Sequence, residues 1–228
     1  MNYAAVIVAA GKGSRSGLSY NKVLFPYQGK PILRYSLERF LQDEECKQVV
    51  VVCAGQELNT FQELFQDLDS RICFACGGNT RAESVFSGLS FVKMPYVLIH
   101  DGARPFLSQE LITRLKEALV TDQAVVPGLE VVDTIKEIDD KGYVIYTPKR
   151  SQLRAIQTPQ AFSTPLIQEA LKSVLSKNLE ITDDAMAVEK VFGIPSRLIP
   201  GDSCNQKITS SQDIEALSEK IRSSIEKD

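Results

Sequence analysis

The chain has 228 residues, of which 43% are hydrophobic and 24% charged, a composition typical of a folded globular protein. Its formal net charge of −3 excludes a generally basic surface of the kind that binds nucleic acid. No apolar run reaches the ~20 residues that a membrane-spanning helix requires, and the apolar stretch at 3–10 lacks a preceding basic residue. We therefore expect a cytoplasmic protein that binds neither membrane nor nucleic acid.

Strand-like and helix-like segments alternate through the first two thirds of the chain. Continuous apolar runs predict strands at 4–10, 48–54, 71–76, 96–101 and 123–128. Helical periodicity predicts helices between them at 32–41, 57–68, 81–91 and 109–119. Because buried Val and Ile runs separated by helices are typical of parallel sheets, we expect a three-layer, Rossmann-like α/β fold. Its twisted, mostly parallel sheet carries helices on both faces.

The segment 130–146 departs from this pattern. It contains two runs of alternating polarity around the turn signal Asp-Asp-Lys-Gly at 139–142, which predicts an inserted β-hairpin. Beyond it the sequence predicts helices at 165–175 and 183–191, a strand near 197–199 and a C-terminal helix from Ser210. An isolated two-stranded ribbon is only marginally stable. We therefore expect one domain, 1–228, whose β-arm at about 130–149 packs against a second copy of the chain.

A glycine-rich loop, AAGKGSRSGLSYNK, follows the first predicted strand at 9–22. Its glycines allow backbone N–H groups to approach phosphate oxygens, and Lys12, Arg15 and Lys22 supply positive charge. The loop lacks the G-x-x-x-x-G-K-[ST] pattern of a P-loop. It also lacks the third glycine of a dinucleotide-binding fingerprint, since Ser16 stands in its place.

Cysteine and histidine usage predicts no metal centre. Cys73 and Cys76 form the one C-x-x-C pair, on a predicted strand whose alternation directs the two thiols to opposite faces. His100 is the only histidine, and the same alternation turns it away from its neighbour Asp101. We therefore expect the cysteines to be ordinary strand residues and His100 to be structural.

Several motifs, in order, resemble one enzyme family. The pattern A-A-G-x-G-x-R, then Lys22 and GKPIL at 29–33, resembles the N-terminal signature of sugar-phosphate nucleotidylyltransferases. Further segments narrow the match: GGNTRAESVFSGL at 77–89, HDGARPF at 100–106, QTPQAF at 157–162, ITDDA at 181–185, and Lys207. Over about 3–226 the chain resembles the 2-C-methyl-D-erythritol 4-phosphate cytidylyltransferases.

This resemblance implies that a substrate phosphate attacks the α-phosphorus of CTP and releases pyrophosphate. A phosphate monoester is largely dianionic at pH 7, because its second pKa is ~6, so the nucleophile needs no protein base. Mg²⁺, carried mainly by the CTP phosphates, and fixed cations would neutralise the charge. The resemblance assigns the catalytic role to Arg15 and Lys22. It assigns nucleotide binding to Ala9, Ala10, Gly11, Lys12, Gly13, Ser14, Gly77, Gly78, Asn79, Ser84 and Gly102.

The resemblance also assigns residues to the second substrate. Arg150 and Lys207 would bind its phosphate, Thr134 and Thr182 would contact its hydroxyls, and Asp101 and Arg104 would lie on the ribose or substrate-phosphate side. For Ser84 of the nucleotide set, for Arg104 and for the pair Asp183–Asp184, a structural interpretation remains open. Ser84 suits a capping hydroxyl, Arg104 suits a buried ion pair, and Asp183 with Asp184 suits a helix N-terminus. Asp184 stands where relatives often have Glu, Asn79 where they are often acidic, and Gly102 where Ala is usual.

Two other functions fit the same sequence. Ribitol 5-phosphate cytidylyltransferases share the QTPQ segment, but they tend to have Gly-Gly in place of Ala9-Ala10 and a bulkier pair in place of Gly102-Ala103. A catalytically silent nucleotide-binding module is the alternative from another class. The presence of Arg15, Lys22, Arg150 and Lys207 together argues against it.

Overall fold

The computed structural model describes residues 1–11 and 17–217. Its strands are β1 (Tyr3–Val8), β2 (Pro26–Tyr27), β3 (Lys30–Pro31), β4 (Cys46–Cys53), β5 (Ile72–Cys76), β6 (Tyr96–Asp101), β7 (Ala124–Glu130), β8 (Glu137–Ile138), β9 (Val144–Tyr146), β10 (Arg154–Ile156), β11 (Gln160–Ser163) and β12 (Arg197–Pro200). Its helices are α1 (Ile32–Leu41), α2 (Leu58–Phe65), α3 (Arg81–Leu89), α4 (Gln109–Ala118), α5 (Thr164–Ser176) and α6 (Asp184–Phe192), and residues 211–217 are also helical.

Eight of the strands form one mostly parallel sheet. Hydrogen-bonded neighbours follow the order β10-β7-β11-β6-β1-β4-β5, and β12 pairs with β7. The pairs β1–β4, β1–β6, β4–β5 and β7–β12 are parallel, whereas β11 is antiparallel to both of its neighbours. The expected α/β class is therefore confirmed.

Both faces of the sheet are covered by helices. Along β1, Ala5 and Ile7 belong to a hydrophobic cluster shared with α1, α2 and α4, whereas Val6 belongs to a second cluster shared with α3, α5 and α6. Successive strand residues point to opposite faces, so a strand buried on both faces must be apolar throughout. This burial explains why the central strands have continuous Val and Ile runs instead of alternation.

Strand ends and the β-arm differ from the sequence-based expectation. β1 ends at Val8, two residues earlier than predicted, and the carbonyl of the next residue, Ala9, accepts a hydrogen bond from the Asn21 side chain at 2.7 Å. The hairpin was predicted to begin at residue 130. This start is wrong, because Glu130 is the last residue of β7 and pairs with Arg154 of β10. The hairpin is confined to β8 and β9, whose residues are exposed.

Candidate active site

The carboxyl ends of β1, β4, β5 and β6 surround a pocket of about 880 Å³. The chain adds β4 and β5 on one side of β1 and then returns to add β6 on the other side. Connections that run in opposite directions from one strand leave a crevice at the carboxyl end of that strand. Many of the residues predicted for the site line this pocket together: Ala9, Ala10, Gly11, Lys22, Gly77, Gly78, Asn79, Ser84, Asp101 and Lys207.

The start of the glycine-rich loop is fixed by backbone hydrogen bonds. The Ala9 N–H donates to the Val52 carbonyl at 2.7 Å, and the Gly102 N–H donates to the Val8 carbonyl at 2.9 Å. A Cβ added at Gly11 would meet no atom within 4 Å, so this glycine leaves open space in front of the loop. The predicted residues Lys12, Gly13, Ser14 and Arg15 lie outside the described part of the chain.

Gly77 allows the loop after β5 to pack closely against the glycine-rich loop. The Gly77 N–H donates to the Cys53 carbonyl at 2.7 Å. A Cβ at Gly77 would lie only 2.5 Å from the Ala10 Cβ and 2.9 Å from the Ser84 hydroxyl, so a side chain there would push the two loops apart. The absence of a side chain at Gly77 therefore keeps the two loops in contact along one wall of the pocket.

The Ser84 hydroxyl organises the same loop. It accepts a hydrogen bond from the Gly78 N–H at 3.1 Å and donates to the Thr80 carbonyl at 2.9 Å. The Asn79 N–H donates to Glu83 at 2.7 Å, and Thr80 caps α3 by accepting the Glu83 N–H. Ser84 lines the pocket but is buried. Its hydroxyl is used to hold the loop.

A cluster of charged side chains forms the opposite wall. The Asp101 carboxylate accepts from Arg81 at 3.2 Å and from Lys207 at 2.8 Å, and the Arg104 Nε lies 3.9 Å from it. The remaining N–H groups of Arg81 form a bidentate pair with Asp184 at 2.9 and 2.8 Å. Of these residues, Arg81, Lys207 and Asp101 line the pocket, and their two positive charges and one negative charge leave an excess of positive charge that suits a site for phosphate.

Burial and the neighbouring cations act oppositely on the pKa of Asp101. Burial alone would raise the pKa of its carboxyl, but Arg81 and Lys207 hold that pKa well below its usual range. Burial raises the pKa of Asp184, and Arg81 opposes this. Burial likewise opposes the charge of Arg81, yet its two carboxylate partners raise the Arg81 pKa above its usual value. The bidentate hydrogen bonds from Arg81 favour the charged form of Asp184, and Asp101, whose pKa is held low, is unsuited to act as a base.

His100 lies on the far side of the strand, as the alternation of β6 predicts. Its ring is fully buried, in edge contact with Phe40, and burial lowers its pKa to about 4. The Arg104 carbonyl can only accept, so Nε2 carries the proton and donates to it at 3.0 Å. Nδ1 then accepts from the Thr158 hydroxyl at 3.2 Å, and Thr158 accepts the Asp101 N–H at 3.0 Å. His100 is a neutral structural residue.

Several predicted site residues do not line the pocket of the single chain. Arg104 donates to the Asn205 carbonyl at 2.8 Å and is largely buried, as the ion-pair interpretation expects. Thr134 is exposed, and Arg150 is exposed with its guanidinium donating to the Val132 carbonyl at 2.6 Å. Thr182 is exposed, with its hydroxyl directed to the Met186 sulfur. Gly102 lies just behind the pocket, where a Cβ would come within 2.9 Å of Leu33.

The two acidic residues at the start of α6 have different positions. Asp183 is the N-cap and accepts the Met186 N–H at 3.0 Å, which confirms the helix-capping interpretation for this residue. For Asp184 that interpretation is wrong, because its side chain is fully buried and directed to Arg81. A carboxylate inside the fold costs less when it is paired with a bidentate guanidinium than when it is left alone.

Arg81 and Asn21 are among the pocket residues that were given no role from the sequence. Arg81 was visible only as part of the GGNTRAESVFSGL segment, at the first position of α3. Asn21 precedes Lys22 and is buried, with its side-chain amide fully hydrogen-bonded. No local sequence signal identifies the partners of either residue, which are distant along the chain.

The five cysteines are free thiols, with Cys73 half-buried and Cys76 exposed. Within the described residues, no group of three or more His, Cys, Asp and Glu side chains is arranged to hold a metal ion. None of the helices in that part of the chain is long and apolar enough to cross a membrane.

Comparisons with known proteins agree with this geometry. The family model for 2-C-methyl-D-erythritol 4-phosphate cytidylyltransferase matches residues 3–222. A relative of that name from Geobacillus thermodenitrificans is 39% identical over 217 residues, which is 94% of this chain and 94% of the relative. Another from Bacillus mycoides is 37% identical over 215 residues, covering 93% and 94% of the two chains.

Solved structures give the same result. The chain resembles 4-diphosphocytidyl-2C-methyl-D-erythritol synthase from Anaerococcus prevotii with a TM-score of 0.85 and 30% identity, over 97% of this chain and 98% of that one. It resembles 2-C-methyl-D-erythritol 4-phosphate cytidylyltransferase from Thermus thermophilus with a TM-score of 0.79 and 32% identity, over 97% and 100%. The resemblance found in the sequence motifs is thereby confirmed, and the chain belongs to the 2-C-methyl-D-erythritol 4-phosphate cytidylyltransferase family.

Proposed function

We propose that the protein transfers CMP from CTP to 2-C-methyl-D-erythritol 4-phosphate, releasing pyrophosphate and forming 4-diphosphocytidyl-2-C-methyl-D-erythritol for isoprenoid precursor synthesis. Its family is one of cytidylyltransferases. The observation that supports the proposal best is the pocket of about 880 Å³, where the glycine-rich loop, Lys22, the loop after β5 and the cationic wall meet. The volume suits a nucleotide, since ligand pockets commonly measure roughly 300–1,000 Å³.

In the proposed complex, the cytosine lies against the pocket wall formed by the loops 9–11 and 77–84, which contact each other at Ala10 and Gly77. Backbone carbonyl and N–H groups there recognise its N4 amino donor and O2 acceptor. By the motif resemblance, Lys12 and the backbone at 11–14 are proposed to bind the β- and γ-phosphates. A comparison of kcat/KM for CTP and UTP tests this placement. CTP should have the higher kcat/KM, because UTP presents an acceptor where the site expects a donor, and equal values would contradict the cytosine pocket.

The proposed chemistry needs charge neutralisation more than proton transfer. An oxygen of the substrate phosphate attacks the α-phosphorus while the bond to the pyrophosphate oxygen breaks. Arg15 and Lys22 stabilise the charge that accumulates on the α-phosphate oxygens in the transition state. Asp101 takes no proton, because Arg81 and Lys207 keep it ionised.

CTP enters this scheme as its Mg²⁺ complex. Asp101 is the acidic residue that lines the described pocket, and both of its oxygens already face cations. The described residues therefore offer no carboxylate ligand set that fits a bound ion. Mg²⁺ prefers oxygen ligands and retains water, so the triphosphate itself would hold it.

The second substrate site is proposed to be shared between two copies of the chain. The β-arm, 130–149, exposes apolar side chains at Val132, Ile138, Tyr143, Val144, Ile145 and Tyr146, each more than half exposed. An exposed apolar patch of this kind is typical of an interaction surface. The proposed assembly is a two-fold homodimer in which the arms embrace and Arg150 and Thr134 reach the partner's pocket beside Lys207.

Complementation tests this shared site. Lys22→Ala and Arg150→Ala each inactivate every site of their own homodimer. A mixed dimer contains one site with both defects and one with neither, so activity should return after subunits exchange. Exchange is first verified with differently tagged chains. If exchange occurs and activity does not return, or if an active monomer sediments alone, the shared site is excluded.

The cytoplasm is the proposed compartment. All five cysteines are free, including the exposed Cys76 and Cys204, as expected where the surroundings keep thiols reduced.

A further inference from the structure

Asn21 joins three segments that line the nucleotide pocket. Its amide nitrogen donates to the Ala9 carbonyl at 2.7 Å and to the Glu57 carboxylate at 2.9 Å. Its oxygen accepts the Val23 N–H at 3.3 Å and so caps the short 3-10 turn Lys22–Leu24. These contacts connect the end of β1, the turn that carries Lys22 and the turn Gly55–Glu57 after β4.

Each of the three segments contributes residues to the pocket wall, namely Ala9, Lys22 and Gln56 among others. Asn21 is itself 4% exposed, and both amide hydrogens and the carbonyl oxygen are already used. Such a side chain has no donor left for a phosphate oxygen. Its role must therefore be exerted through the residues that it holds.

We propose that Asn21, together with Glu57, is a positioning residue that holds the turn carrying Lys22 against the end of β1 and so places Lys22 for phosphate chemistry. The inference rests on the proposed function, since it assigns Lys22 to the transition state. Ala9 is held on both sides, by Val52 at its N–H and by Asn21 at its carbonyl. Lys22 directly follows Asn21 and begins the turn that Asn21 caps.

Asn21→Asp is the most informative substitution because it preserves shape. The oxygen that accepts the Val23 N–H remains, but the amide nitrogen is replaced by an oxygen facing the Ala9 carbonyl and the Glu57 carboxylate. Repulsion should displace the turn, and a displacement of about 1 Å can cost ~10²-fold in rate. We expect kcat for CMP transfer to fall about 10- to 100-fold, with KM for CTP changing less.

Glu57 supplies the matched pair of substitutions. Glu57→Gln keeps an oxygen that accepts from Asn21, so kcat should stay within about threefold of wild type, whereas Glu57→Ala should lose more. Asn59→Ala, an exposed asparagine on the neighbouring α2, serves as the control. Asn21→Ser retains a capping acceptor and decides the question if Asn21→Asp does not fold.

The decisive measurement is non-additivity in steady-state kinetics with CTP and 2-C-methyl-D-erythritol 4-phosphate. If Asn21 acts through Lys22, adding the Asn21 substitution to Lys22→Ala should lower kcat by less than about threefold further. A fully multiplicative loss, or near wild-type kcat in folded Asn21 variants, overturns the inference. Absence of turnover in the wild-type protein would instead overturn the proposed function, so the two failures are distinguishable.

Discussion

The buried ion pair between Arg81 and Asp184 predicts an asymmetric response to substitution. Arg81→Leu leaves the fully buried Asp184 carboxylate without two donors at 2.9 and 2.8 Å. Asp184→Asn leaves Arg81, whose side chain is 30% exposed, with solvent and with Asp101 at 3.2 Å. We expect Arg81→Leu to lower the free energy of unfolding by about 3–5 kcal/mol, because an uncompensated buried charge remains. Asp184→Asn should cost about 1–2 kcal/mol.

Urea unfolding followed by far-ultraviolet circular dichroism measures both losses, since the chain contains no tryptophan. In thermal unfolding, the loss expected for Arg81→Leu corresponds to roughly 6–20 °C for a protein of this size. Lys172→Ala is the control, because it removes an exposed ion pair with Glu169 and should change stability little.

The pH dependence of Arg81→Leu is a second part of the same test. Without Arg81, the folded pKa of Asp184 should rise further above its unfolded value, so the folded state binds the proton more readily. The free energy of unfolding of Arg81→Leu should therefore fall as pH rises. The difference in free energy of unfolding between wild type and Arg81→Leu should shrink as pH is lowered. Equal losses for the two variants, or a deficit that grows as pH falls, would refute the assignment of a charged buried pair.

Three further predictions concern single residues. Because burial lowers the pKa of His100 to about 4, its contribution to stability is complete above the unfolded pKa of ~6.5. As the pH falls from about 6.5 to 4, protonation of His100 in the unfolded state should lower the free energy of unfolding by about 3 kcal/mol. His100→Gln should remove this pH dependence. Gly77→Ala should raise KM for CTP at least ~10-fold, because its Cβ would lie 2.5 Å from the Ala10 side chain. Lys22→Ala and Arg15→Ala should each lower kcat by about 10²–10³-fold with thermal unfolding unchanged, and near wild-type turnover would exclude the catalytic role.

The fold was predictable where burial alone sets the pattern. β6 and α1 have the bounds expected from the sequence, 96–101 and 32–41, because each is bordered by residues that end its periodicity. β11 was not predicted as a strand, since it has only four residues and directly follows Pro159, although it lies between β6 and β7. Its position depends on two neighbouring strands rather than on its own sequence.

The site was predictable where backbone approach or fixed charge is encoded locally. Gly77 and Lys22 were assigned to the site by their place in motifs that resemble the family's, and both line the pocket. The role of Arg81 was not, because its bidentate partner lies 103 residues away and has the sequence context of a helix start. Long-range pairing of charges is fixed by topology, and a single local pattern does not contain it.

The central claim is tested most directly by following pyrophosphate release from CTP and Mg²⁺ with 2-C-methyl-D-erythritol 4-phosphate, in parallel with ribitol 5-phosphate. The account predicts one pyrophosphate and one cytidine diphosphate-linked product per methylerythritol phosphate consumed. It also predicts kcat/KM at least ~10-fold lower for ribitol phosphate, whose linear five-carbon chain, with one more hydroxyl, must fit a site shaped for a branched four-carbon chain. No turnover of methylerythritol phosphate, or a preference for ribitol phosphate, would contradict it.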